Sequence, residues 1–280
     1  GRFHDKMSAA DTPYPAVTVS SDEAVIARGE YLVRTVGHCT QCHGDYERTK
    51  PETNTADVPL SGGLEFAMGP IATLYAPNLT PDDETGIGKR SDEEIARAIA
   101  TGVLANGQLS IFMAYSAGNF SSQDLSAVVS YLRSLAPVNK PTPPAVYTAL
   151  GKAAFSMMSF GPDLSPLPKH VEPSEEPSVE RGEYLAEHAG LCVACHTQFD
   201  QMTMQFVGPK AAGGTPEPSH GPDSDKEFAA PNLTSDPKTG LTGKDITNAD
   251  FTPTGGAITG GGGVNVDVGT DTSVGGDVKK

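Results

Sequence analysis

Two short segments, Cys39-Thr40-Gln41-Cys42-His43 and Cys192-Val193-Ala194-Cys195-His196, hold all four cysteines of the 280-residue chain. Each places two thiols one helical turn apart, with an imidazole directly behind the second. This is the attachment signature of c-type haem. Two thiols on one turn add to the two porphyrin vinyl groups, and the adjacent histidine projects onto the iron. Cys39, Cys42, Cys192 and Cys195 are therefore expected to anchor two covalently bound haem c groups, with His43 and His196 as iron ligands. A single zinc site built from four thiolates, or two redox disulfides, are the competing readings. The isolated His38, His170, His188 and His220 read as surface residues.

The two segments lie in register with a longer repeat. Ala27-Arg28-Gly29-Glu30-Tyr31-Leu32 is matched by Glu180-Arg181-Gly182-Glu183-Tyr184-Leu185, and Ala76-Pro77-Asn78-Leu79-Thr80 by Ala230-Pro231-Asn232-Leu233-Thr234. Asp-x-x-Thr-Gly follows in both copies. The separation of about 150 residues far exceeds the roughly 20–50 of solenoid repeats, so it indicates duplicated domains. The expected division is an extension over 1–19, a first module over 20–138, a Pro-rich linker over 139–177, an incomplete second module over 178–254 and a Gly-rich tail over 255–280. Within the linker, 146–160 is expected to form a short apolar helix packing between the modules, with Met157 and Met158 as packing residues.

The first copy reads as helical. Ser20 with Glu23 resembles a capping box opening a helix to about Val36. Ser91 with Glu94 opens a second, with Ile95, Ala98 and Ile99 on one face and Gly102 as its stop. Ser121 with Asp124 opens a third, carrying Leu125, Val128, Val129 and Leu132 as one stripe. No sustained alternation marks a sheet, so the expected class is all-α.

An iron held by one histidine has an open sixth position, which an electron carrier generally closes, and methionine raises the potential. Met113, 70 residues beyond His43, is the expected ligand, and Met68 is its competitor. A carbonyl in the loop holding Pro70 or Pro77 is expected to orient the His43 ring.

With 35 acidic against 20 basic residues the net charge is −15. That excludes nucleic-acid binding and suits either a partner with a basic docking surface or simple solubility. No stretch approaches the roughly 20 apolar residues of a spanning helix. The start lacks the pattern of an export leader, so a signal or membrane anchor is expected outside this sequence.

Arg28-Gly29-Glu30-Tyr31-Leu32, Pro77-Asn78-Leu79-Thr80-Pro81-Asp82, Thr85-Gly86-Ile87-Gly88, the helix at Ser91-Asp92-Glu93-Glu94, Met113 and Tyr131-Leu132-Arg133-Ser134-Leu135 resemble the class I cytochrome c modules of multihaem dehydrogenase subunits. The resemblance covers 20–138 well and 178–243 fairly. It implies two tandem class I modules in a periplasmic or otherwise extracytoplasmic electron carrier. Such a carrier takes electrons from a membrane-associated alcohol, aldehyde or sugar-acid dehydrogenase, with redox proteins as partners, and is not itself an enzyme.

The second copy departs from the family after Gly243. The position equivalent to Met113 is Asp267, and no methionine follows Met204. Met202, Met204, another group or nothing is left for the second iron, and the tail reads either as an extended segment through Val264, Val266 and Val268 that adds to a sheet edge or as a flexible terminus. Two further functions stay open. One is a peroxidase-like dihaem enzyme with an open second iron, and the other is a relay subunit of a larger complex or filament.

Overall fold

The computed structural model describes residues 9–46, 57–116, 120–157, 174, 176–200, 205–218 and 227–241. Met158, His170, Met202, Met204, His220 and the tail lie outside them.

The first half is built on three amphipathic helices. Helix α1 (Glu23–Tyr31) starts at Asp22, whose carboxylate accepts from the Ala24 and Val25 amides. Ser20, expected as the cap, instead accepts from the Asp22 amide at 3.1 Å. The displacement has a simple cause: an aspartate one residue from the first turn adds charge to its acceptor geometry. A wider π-helical turn, π1 (Leu32–Val36), continues α1, and α2 (Cys39–His43) follows. Helix α3 (Asp92–Thr101) carries the full capping box of Ser91 and Glu94 and ends at Gly102, with φ +75°. After the short α4 (Ile111–Ser116), Ser121 caps α5 (Ser122–Ser134).

Helices α1 and α5 meet at Gly29, where a Cβ would stand 2.0 Å from the Ala127 carbonyl oxygen, so the absent side chain allows the backbones to touch. Leu32, Val33, Ile95, Leu125, Val128, Val129 and Leu132 form the core around that crossing. Burying each contributes about 1.5–3 kcal/mol.

The class is not purely α. Strands β1 (Glu65–Ala67), β2 (Ala72–Tyr75) and β3 (Val146–Tyr147) form a small antiparallel sheet in that order. A second apolar cluster of Ala72, Leu74, Val103, Leu109 and Phe155 covers it. Strands of two to four residues are too short for a period-2 pattern to register, which is why the sequence hid them. Phe155 belongs to α6 (Ala149–Met157), which packs on this sheet through Gly151 against Ile71. Met157 is exposed.

The second half repeats the opening of the first: α7 (Val179–Glu183), the π-helical turn π2 (Tyr184–Ala189) and α8 (Cys192–Cys195). Two hairpins follow, β4 (Gln198–Asp200) with β5 (Gln205–Val207) and β6 (Glu217–Pro218) with β7 (Glu227–Phe228). Tyr184 and Ala189 join the core cluster of the first half. No helix among the described residues is long and apolar enough to cross a membrane.

Candidate functional site

Each cysteine pair is launched by the same backbone device. The wide turn π1 closes when the Gly37 amide donates to the Leu32 carbonyl at 2.6 Å, and π2 closes likewise from Gly190 to Leu185 at 2.8 Å. The next residue is left-handed in both copies, His38 at φ +52° and Leu191 at φ +49°. A non-glycine residue in that region is uncommon and mildly strained, and here it recurs at one place in both copies. It breaks the helix so that the cysteine turn leaves in a new direction. Histidine at 38 thus has a backbone role as cap of α2, and burial lowers its pKa.

None of the four cysteines is disulfide-bonded. Among the described residues no three His, Cys, Asp or Glu side chains converge, so the four thiols do not form the tetrahedral set that zinc requires. Burial, and secondarily the neighbouring Cys42, pushes the Cys39 thiol up to about 12. Burial also raises Cys42, and it leads the causes that raise Cys195. At neutral pH such thiols are held protonated, which makes them slow redox nucleophiles. As one-turn pairs they fit thioether attachment to a flat group.

The histidines behind them are held identically. His43 Nδ1 lies 2.8 Å from the Pro77 carbonyl, and His196 Nδ1 lies 2.7 Å from that of Pro231. A carbonyl can only accept, so Nδ1 carries the hydrogen and Nε2 keeps its lone pair for a metal. Burial lowers the pKa of His43, with the Pro77 contact opposing it, so the ring is held neutral. Of the two prolines expected to supply this carbonyl, Pro77 does so, while the Pro70 carbonyl accepts from the Thr148 hydroxyl.

The Pro-Asn-Leu-Thr loops that present these carbonyls are built alike. Asn78 accepts from the Thr80 amide at 2.9 Å and donates to Thr85 Oγ1 at 3.1 Å. Asn232 does the same with Thr234 and Thr239, both at 2.8 Å. The histidine's own carbonyl accepts from Gly62 in the first copy and from Gly213 in the second, at 2.9 and 2.8 Å.

The first copy is further braced from the segment after α5. Asn78 donates to the Val138 carbonyl at 2.7 Å. Lys140 Nζ pairs with Asp45 at 2.8 Å and donates to the Gly62 carbonyl, while Ser61 donates to the other oxygen of Asp45. His43 is correspondingly buried and His196 half-buried. The sequence showed Ala76–Thr80 and Ala230–Thr234 as a repeat, but a loop asparagine bonding its own backbone carries no composition signal that separates it from an ordinary turn. Asp45 and Lys140 were missed because an ion pair between distant segments leaves no mark along the chain.

Thr40 Oγ1, inside the first cysteine turn, is buried without a partner. Met113 is half-buried on α4. Its neighbours Phe112 and Ala114 pack in the second apolar cluster, as does Met68, whereas Met113 is in neither cluster.

The family model for cytochrome c matches residues 26–136, the span that contains this geometry. Residues 26–136 are a cytochrome c domain. That domain implies a covalently bound haem c, and the residues present fit one: paired unbonded thiols, a neutral histidine with Nε2 available, and an unsatisfied hydroxyl between them.

Comparison with curated proteins extends the likeness beyond the cytochrome c domain. The chain is 36% identical to the gluconate 2-dehydrogenase cytochrome c subunit of Pantoea cypripedii, over 66% of this chain and 40% of that protein. It is 32% identical to the alcohol dehydrogenase (quinone) cytochrome c subunit of Gluconacetobacter polyoxogenes, over 81% and 47%. It is 26% identical to a diheme cytochrome c-type protein of Cereibacter sphaeroides, over 74% and 67%. The chain thus spans less than half the length of the two dehydrogenase subunits.

Proposed function

We propose that this chain is an extracytoplasmic dihaem cytochrome c that relays single electrons for a membrane-associated dehydrogenase acting on an alcohol or a sugar acid. Haem c, when bound, supplies an iron that accepts and returns one electron. The carrying observation is the imidazole-to-carbonyl bond behind each Cys-x-x-Cys-His, at 2.8 Å for His43 and 2.7 Å for His196. It argues that the second half, although outside the family match, is prepared for the same group as the first.

In this reading Cys39 and Cys42 anchor the first haem, and Cys192 and Cys195 the second. His43 and His196 ligate through Nε2. Met113 closes the first sixth position; it is half-buried on α4, between Phe112 and Ala114, which pack in the second apolar cluster. The division into two modules joined by 139–177 follows the repeat. The dehydrogenase partner rests on the likeness to the gluconate and alcohol dehydrogenase subunits. With a chain charge of −15, docking would be favoured by a basic surface on that partner.

Spectroelectrochemical titration of the purified protein tests the proposal. Two reversible one-electron steps are expected. A single step, or none, would refute a dihaem carrier.

A further inference from the structure

Tyr31 and Tyr184 occupy equivalent places in the two copies yet have opposite surroundings. Tyr31 is 44% exposed, whereas Tyr184 is 3% exposed. The Tyr184 hydroxyl donates to Asp124 Oδ2 at 2.7 Å and accepts from the Ser121 amide at 3.0 Å. Both partners belong to the start of α5 in the first half, where Ser121 is the helix cap. Asp124 is also held by Arg28, whose two guanidinium nitrogens donate to its two oxygens at 2.8 Å each. A residue of the second half therefore completes the shell of a buried carboxylate in the first.

This contact lies between the two cysteine segments. Phe120, one residue before the cap, is buried beside Gly37. A Cβ there would come within 3.3 Å of the Phe120 ring and 3.6 Å of Cys39 Sγ. On the other flank, π2 runs from Tyr184 towards Gly190, where a Cβ would stand 3.3 Å from the Val36 side chain. Val36 and Gly190 precede Cys39 and Cys192 by only three and two residues. The chain thus joins one attachment segment to the other through Tyr184, Ser121 and Phe120, and again through Val36 and Gly190.

We infer that Tyr184 is a positioning residue whose hydroxyl latches the second half onto the cap of α5, fixing the two attachment segments relative to one another and so setting electron passage between the groups they carry. The inference rests on the dihaem reading above. In the step concerned one iron loses the electron that the other gains, and Tyr184 itself is neither oxidised nor reduced. The repeat supplies an internal control, since Tyr31 has the same sequence surroundings without the latch.

The test uses the full-length holoprotein with Tyr184→Phe and, as control, Tyr31→Phe. Phenylalanine keeps the ring in the core, so haem content by mass and the absorption spectrum of each haem should match the parent. Hydrogen exchange at the Ser121 amide should rise about tenfold or more in Tyr184→Phe, because the hydroxyl it donates to is gone and a hydrogen bond to a charged acceptor is lost with it. Intramolecular electron transfer after pulsed reduction should slow, and Tyr31→Phe should change neither quantity. Unchanged Ser121 exchange would overturn the latch, and raised exchange with an unchanged transfer rate would overturn the positioning role. Absence of bound haem in the parent would instead refute the dihaem reading, while the exchange result would still report on the latch.

Discussion

The Nδ1 of His43 and the carbonyl oxygen of Pro77 stand 2.8 Å apart, and that one contact fixes which imidazole nitrogen is left to bind a metal. Its strength depends on the loop that presents the carbonyl. Asn78, 1% exposed, ties that loop to Thr80, Thr85 and Val138.

Asn78→Ala should therefore destabilise the first domain by about 2–4 kcal/mol, since several hydrogen bonds are lost and their partners remain buried. Asn232→Ala should cost less, because its loop is half-exposed and partners can turn to water. Urea unfolding of the two variants checks the ranking, and the reduction potential of the first haem should shift in Asn78→Ala alone.

Glycine offers a sharper comparison between the copies. A Cβ at Gly29 would meet the Ala127 carbonyl oxygen at 2.0 Å, whereas at Gly182 nothing lies within 4 Å. Gly29→Ala should destabilise by about 1–3 kcal/mol or more as α1 is forced from α5. Gly182→Ala should be neutral or stabilising by about 0.5–1 kcal/mol, the ordinary preference of a helix for alanine. Thermal unfolding of the pair reads both effects.

These contrasts show what the sequence could and could not reveal. The starts of α3 and α5 were legible to the residue, because Ser91 and Ser121 announce them, whereas the buried face of α3 is Ile95, Ala96, Arg97, Ala100 and Thr101 rather than Ile95, Ala98 and Ile99. The histidine support at Pro77 was legible as one of two prolines. The small sheet was not, since its strands are too short to impose a period. The latch at Tyr184 was not either, because identical sequence at 31 and 184 has different neighbours, and burial of that kind is decided by tertiary packing. Met202 and Met204, and the chain after Leu241 with Asp267, lie outside the described residues.

If Met113 closes the first sixth position, Met113→Ala should abolish the methionine-to-iron charge-transfer absorption of the oxidised protein. The potential of that haem should fall by on the order of 100 mV, a fraction of the roughly 0.8 V that axial ligands span. An unchanged spectrum would assign the position to another residue.

Alkaline pH should loosen the contact between halves. Burial is the main cause that raises the Tyr184 pKa above its ordinary 10, with the Asp124 carboxylate adding to it and the Ser121 contacts opposing. Arg28, facing Asp124, and Arg181, against the Tyr184 ring, are the cations nearby, and His188 is the other titratable neighbour. A raised folded pKa favours the neutral form, so its contribution is complete below pH 10 and is lost as pH rises above that value. Unfolding free energy measured between pH 9 and 11 should fall with a steeper slope in the parent than in Tyr184→Phe. Equal slopes would show that Tyr184 ionises as freely folded as unfolded.

Intact-mass spectrometry of the natively matured polypeptide, denatured but not chemically cleaved, bears most directly on the proposed chemistry. Thioether bonds survive denaturation, so the chain should carry the added mass of two haems, with Cys39/Cys42 and Cys192/Cys195 each mapping to a haem-bearing peptide. A chain of bare polypeptide mass, or one haem with Cys192 and Cys195 recovered as free thiols, would contradict it.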